Sequence, residues 1–410
     1  MSRTLAPVFS LLLATSILLI GNGLLGTLIP IRANIEHFAT TTVGFIGSVY
    51  FAGFMAGCVL GPFIVRRAGH IRSFAALGAL AAIAPLVHAL TVNPVAWALM
   101  RGLTGFCFAG LYMVIESWIN ERATNATRGR LFAVYLVVNF TSLTLGQLML
   151  NTADPAEFTL FVLCSILTSL ALVPISMTTS DQPAPIASTR VDIPAVFRLS
   201  PVGFLGCLVV GLTNSPFWTL GPVFAHDSGL DVAGVSLFMT AAILGGAAAQ
   251  IPIGRYSDRM DRRRIILGLS LGSALAEGGL IAARGIGAEW LLLAAGFVFG
   301  CFALTLYSVC VAHTNDHAGQ ESFVGVSSAL LLAYAVGAVV GPFAASMGTE
   351  RLGMSFIFMF AAAVHVVFAA FTAIRMATAS HGGARRGDFV AMPFPSTTTE
   401  PAKLDPRQGE

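Results

Sequence analysis

The 410-residue chain is 56% hydrophobic and 10% charged, with a mean hydropathy of +0.80, whereas soluble domains run about 45–50% apolar. That balance excludes a water-soluble enzyme or binding module, and a formal net charge of +3 gives no reason to expect a nucleic-acid partner. Twelve nearly uncharged runs, each close to the ~20 residues that cross hydrocarbon as a helix, predict an all-α membrane protein.

The predicted spans are 8–30, 41–65, 72–91, 95–119, 131–152, 158–177, 199–224, 233–254, 265–284, 290–312, 322–346 and 353–377. The first is too long for a signal-peptide core and carries Asn22 and Thr27. The second places Gly53, Gly57 and Gly61 every four residues ahead of Pro62, a spacing that lets helix backbones touch and bend where proline removes a donor. The fourth contains Arg101, Tyr112 and Glu116. Ionisable groups inside a span are expensive and therefore functional candidates, but Arg101 and Glu116 lie about 22 Å apart along the axis and cannot pair. Glu116 is expected to meet Arg122 or Arg130 at the cytoplasmic end.

Residues 178–198 carry three prolines and separate six spans from six, so they predict a cytoplasmic linker between an N-terminal bundle, 1–177, and a C-terminal one, 199–377. The seventh span holds Asn214, Trp218 and Thr219. Residues 251–264, "IPIGRYSDRMDRRR", follow an uncharged stretch and crowd five arginines and two aspartates together. Beyond them, Glu277 and Arg284 share a helix face seven residues apart and predict a structural pair. The tenth span holds Tyr307, and the eleventh sets Gly337 and Gly341 before Pro342. His313 and His317 have a helical spacing, but the Asp316 between them suggests a solvated loop rather than a metal site. Residues 378–410 form a polar tail without a core.

Nineteen of the 23 basic residues fall on one side of this arrangement. Basic residues accumulate in cytoplasmic loops, so both termini are expected in the cytoplasm and the arginines against its anionic lipid leaflet. All six cysteines lie within spans with no CxxC pair, which signals neither a disulfide framework nor a zinc site. No cofactor motif is present.

The two halves are copies. A shift of 192 places Asn22 on Asn214, Thr27 on Thr219, Gly53 on Gly245, Arg67 on Arg259 and Arg72 on Arg264; a shift of 195 places Tyr112 on Tyr307 and Gly146 on Gly341. Same-orientation repeats of six spans imply two bundles related by an axis along the membrane normal.

Gly254, Asp258, Arg259, Arg262 and Arg263 resemble the loop after the second helix of each half in the major facilitator superfamily, roughly G-x-x-x-D-R-x-G-R-R/K, with Asp261 in place of the second glycine. The first-half counterpart, "PFIVRRAGHIR", keeps Arg67, Gly69 and Arg72 but has Arg66 where the aspartate belongs. That departure, with "MVIES", "RGRLFAVY" and "LGQLM", is similar to the YcaD-like branch. The resemblance implies a secondary transporter working by alternating access, functional as a monomer in a bacterial inner membrane, with a small-molecule substrate and a coupling proton or cation. It implies a cavity lined by the first, fourth, seventh and tenth helices, hence by Asn22, Thr27, Arg101, Tyr112, Asn214, Trp218, Thr219 and Tyr307, with Tyr50, Asn139, Gln147, Gln250 and Tyr334 as further candidates. It assigns gating to Arg67, Arg72, Glu116, Arg130, Gly254, Asp258, Arg259, Arg262 and Arg263. "RGLTG", beginning at Arg101, resembles the fourth-helix motif linked to proton coupling or substrate anions, against which stands simple snorkelling to the outer headgroups. The third, ninth and twelfth helices are peripheral in such a fold, which makes His88 and His365 structural.

Amide and aromatic groups suit a hydrogen-bonding, neutral or weakly anionic, planar substrate; riboflavin-type importers of the superfamily fit that description. The fifth span lacks the G-x-x-x-G-P-x-x-G-G signature of drug antiporters, favouring uptake over efflux. A non-transporting receptor would keep the fold, and an intramembrane enzyme would need a HExxH, GxGD or paired DxxxD motif, none of which occurs.

Overall fold

The computed structural model of the protein describes residues 9–122, 128–177, 192–318 and 323–378, and among them there is no strand. Twelve helices are long and apolar enough to cross a membrane. They are α1 (Phe9–Ile35), α2 (Thr40–Ala68), α3 (His70–Leu90), α4 (Pro94–Arg122), α5 (Arg128–Met149), α6 (Thr159–Ser176), α7 (Pro201–Asp227), α8 (Val232–Arg259), α9 (Arg262–Ile286), α10 (Glu289–Asn315), α11 (Phe323–Leu352) and α12 (Phe356–Thr378). α6 is interrupted at Ala171, and α10 at Leu304 and Thr305.

The helices begin and end where local chemistry directs. Ser200 and Asp231 accept hydrogen bonds from Gly203 N–H and Gly234 N–H at the starts of α7 and α8, satisfying donors that a first turn leaves open. Asp261, which replaces a motif glycine, caps α9 by accepting from Arg263 N–H at 3.0 Å. α9 stops at Gly287, whose φ of +73° is left-handed, the usual glycine terminator. α8 runs to Arg259, so Asp258 lies in a last helical turn and not in a loop.

Residues 178–191 of the expected linker and 379–410 of the expected tail lie outside the described residues. The end of that linker is helical, Ile193–Leu199, capped by Asp192.

Two compact units emerge, one holding residues 9–36 and 49–177 of the described chain, the other 37–48 and 192–378. The start of α2 belongs to the second unit, where Thr41 donates to Glu350 and Ser48 accepts from Phe343 N–H. In the first unit α2 and α4 meet backbone to backbone: a Cβ added to Gly53 would stand 1.9 Å from Gly102 O, and one on Gly105 2.0 Å from Tyr50 O. The second unit repeats this between α8 and α10, with Gly245 against Phe297 O and Gly300 against Ala242 O, each at 2.0 Å. Gly146 and Gly341 likewise bring α5 onto α1 and α11 onto α7. The duplication is thus a duplication of close approaches.

Candidate functional site

The α2–α4 contact positions the first unit's polar set. Tyr50 lies one turn before Gly53, and the glycine contact slides its ring beneath Arg101, whose guanidinium carbon is 4.2 Å from the ring centroid. On α1, Asn22 donates to the Tyr112 hydroxyl at 3.4 Å and also lies within hydrogen-bonding reach of the Tyr50 hydroxyl. Arg101 is 9% exposed, its Nη1 has no hydrogen-bond partner, and among the described residues no carboxylate lies within 4.0 Å of it. It does not snorkel. A desolvated cation–π contact contributes about 2 kcal/mol, which falls short of what burying an unpaired charge costs. What remains is a planar, permanently charged donor set suited to a carboxylate, phosphate or carbonyl oxygen.

Thr27, expected in the same set, is placed differently. Its hydroxyl donates to Gln147, whose amide donates to Gly23 O at 3.1 Å, so it ties α1 to α5 and is 1% exposed. Gln147 is engaged in the same tie. Asn139 back-bonds to Tyr135 O.

In the second unit, Asn214 is 2% exposed and donates to Ala303 O at 3.2 Å, the carbonyl just before the interruption of α10, while its Oδ1 has no partner. Trp218, one turn further on, is half-buried, and Tyr307 packs edge-on against Tyr334 with centroids 5.5 Å apart. Thr219 lies against Gly47, where any side chain would collide with it.

The expected gating residues separate into two groups. Arg262 is the hub of a polar network in the second unit, where α8, α9 and α10 meet: 2% exposed in its side chain, it reaches Asp316 at 2.8 Å, Asp258 at 3.2 Å and Ser257 at 3.2 Å. Gly254 is buried, Arg263 is held by Asp261 at 3.0 Å, and Arg259 is exposed. Asp316 corrects the sequence expectation. It is 9% exposed and His313 7%, so this segment is not a solvated loop, and the acid serves as the buried counter-charge of Arg262. In the first unit Arg67 and Arg72 are exposed, and Glu116, 1% exposed, accepts from Tyr135 at 3.0 Å. The Arg130 side chain lies outside the described residues.

A second correction concerns α9. Arg284 pairs with Asp227 and not with Glu277. Glu277 bonds instead to His365 of α12, both with 0% side-chain exposure. His88 is packed between Trp97 and Phe161 and bonds its own helix at Ala84 O. Among the described residues no group of three or more His, Cys, Asp or Glu could hold a metal.

The family model described as Major Facilitator Superfamily matches residues 203–402, and that of Sugar (and other) transporter matches 21–180. The Uncharacterized MFS-type transporter YcaD of Escherichia fergusonii is 26% identical over 370 residues, 90% of this chain and 95% of that protein; its counterpart in Escherichia coli O139:H28 is 27% identical over the same shares. Among solved structures, nucleoside transporter NupG superposes with a TM-score of 0.78 at 14% identity, covering 91% of this chain and 99% of that one. A D-xylose-proton symporter gives 0.70 at 15%, covering 89% and 97%. With a superfamily model matched in each half, twelve spans among the described residues and the fold shared with solved transporters, the chain is a multi-pass membrane protein similar along its length to transporters of the major facilitator superfamily, YcaD-type members among them.

Proposed function

We propose that the protein is a secondary transporter that takes up a small, hydrogen-bonding organic substrate with anionic character by alternating access of its two bundles. The observation that carries the reading is Arg101: a buried guanidinium with an open donor, backed by the ring of Tyr50, whose hydroxyl leads on to Asn22 and through it to Tyr112. A ligand oxyanion there would complete a charge that the fold leaves unanswered, and the hydroxyl and amide groups beside it would orient a planar body. On the equivalent helices of the second unit, Asn214, Trp218 and Tyr307 offer a matching amide and aromatic set. The Asp258–Arg262–Asp316 cluster is the device that breaks and re-forms as the cytoplasmic side opens.

The distribution of arginines supports cytoplasmic termini in a bacterial inner membrane, with the monomer as the working unit. The lack of the antiporter signature in α5 supports uptake. Weakly acidic planar compounds, flavins among them, are the substrates to try first. The test is accumulation in proteoliposomes from a panel of flavins, organic acids, nucleosides and sugars. Substrate uptake that Arg101→Gln reduces at least tenfold supports the reading; export in the opposite orientation would reverse its direction, and full uptake by Arg101→Gln would overturn the assignment of the site.

A further inference from the structure

The second unit buries a titratable pair that substrate binding does not use. Glu277 stands about 22 Å from the cytoplasmic start of α9 and about 14 Å from its outer end, near the middle of the span. His365 Nδ1 approaches both its carboxylate oxygens, at 3.0 and 3.1 Å. On the other side of the imidazole, Nε2 lies 3.4 Å from the hydroxyl of Thr213 on α7, and that hydroxyl is also 3.0 Å from Val209 O. Three helices therefore converge on one chain of polar atoms: Glu277 of α9, His365 of α12 and Thr213 of α7.

A purely structural role accounts poorly for this choice. Apolar side chains of similar volume would join the helices at least as well, because a buried ion pair is weak evidence for stability. Such a pair costs most in a bilayer, where water cannot satisfy it. The local charge is also isolated. Arg284, two turns along α9, is held by Asp227, and Arg262 at the other end by Asp258 and Asp316. His313 belongs with that Arg262 cluster. Other charged or titratable groups of the packed helices, His226, Arg263, Arg264, Glu289, Glu350, Arg351 and Arg375, stand in first or last turns, and neither they nor the thiols and phenols within the spans bond to either member of the pair.

We propose that Glu277 and His365 form the binding site of the coupling proton, and that Thr213 conveys its occupancy to α7; the proposal rests on the transporter reading. The hydroxyl of Thr213 has one hydrogen to donate. With the proton bound, the pair is carboxylate and imidazolium: Nδ1–H faces Glu277, Nε2–H is donated to Thr213 Oγ, and Thr213 donates to Val209 O. When Nε2 gives its proton to a water molecule, the pair becomes carboxylate and neutral imidazole. Nε2 then accepts, and the Thr213 hydroxyl turns from Val209 O to it. The switch sits beside Asn214 and one turn before Pro216, where α7 lacks a backbone donor. A single proton thus alters the bonding of the helix that carries Asn214 and Trp218.

The test uses the full chain in micelles with 15N-labelled histidine, the His365 signal being the one lost in His365→Gln, together with the tryptophan emission removed by Trp218→Phe. The expected result is a change in the His365 protonation state between pH 5 and 9, a midpoint displaced at least tenfold in proton activity by Glu277→Gln, and a Trp218 signal that follows the wild-type midpoint but is lost in Thr213→Val. An invariant His365 across that range, or a titration that leaves Trp218 unaffected, overturns the proposal. Both readouts are made without substrate, so a titrating pair in a protein that accumulates none of the panel would refute the transporter reading alone.

Discussion

Arg101 brings a full positive charge two turns into α4, where the ring of Tyr50 answers it only in part. Arg101→Gln should therefore abolish ligand binding while leaving the ligand-free melting temperature within a few degrees of wild type or above it, because no ion pair is lost. Thr27→Val should behave oppositely, costing about 0.6 kcal/mol, typical of an interhelical hydrogen bond in a membrane, with ligand affinity retained. At the Arg262 network Asp316→Asn should destabilise by about 3 kcal/mol, the lower end for removing one partner of a buried pair. Asp258→Asn, whose parent side chain is 33% exposed, should leave insertion and stability nearly intact but impair transport, and unchanged transport kinetics would remove it from the gating cluster. Arg101 stood out in the sequence as a lone charge in an apolar run, but only its burial beneath the helix packing separates it from an arginine that snorkels to the headgroups. Asp316 and His365 were not legible there, because their partners lie 54 and 88 residues away and only tertiary packing unites them. Thr27 misled because a hydroxyl on a cavity helix reads the same whether it faces a ligand or a neighbouring helix.

The helices are assembled by small residues whose positions recur in both halves. Gly53→Ala and Gly245→Ala would each thrust a methyl group to about 2 Å from a facing carbonyl, and overpacking of this kind costs typically 1–3 kcal/mol. Gly53→Ala should in addition weaken ligand binding, since the same contact aligns Tyr50 with Arg101. Gly26, with nothing within 4 Å, is the control: alanine there should be neutral or stabilising by about 0.5–1 kcal/mol. Thermal unfolding in detergent separates the three, and equal melting temperatures would contradict the packing argument. The four-residue glycine spacing was visible in the sequence, but not which helix it would meet. Helix ends were less legible, because amphipathic last turns such as Tyr256–Arg259 leave the apolar run while continuing the backbone hydrogen bonding.

At the scale of the molecule, composition and hydropathy were sufficient for twelve spans because hydrocarbon forces every backbone donor into a helix, and the repeat was sufficient for the two-bundle expectation. Substrate chemistry depends on a few side chains brought together across helices, which hydropathy and the repeat do not specify. On the proposed function, the first unit holds an anionic substrate at Arg101. Thermal-shift screening of purified wild type and Arg101→Gln against flavins, organic acids, nucleosides and sugars tests it most directly. A ligand at about 100 times its Kd should contribute roughly 2.7 kcal/mol to the folded state. An acidic ligand should raise the wild-type melting temperature and leave Arg101→Gln unmoved; an equal shift in both proteins, or a response confined to uncharged ligands, would overturn the assignment of Arg101.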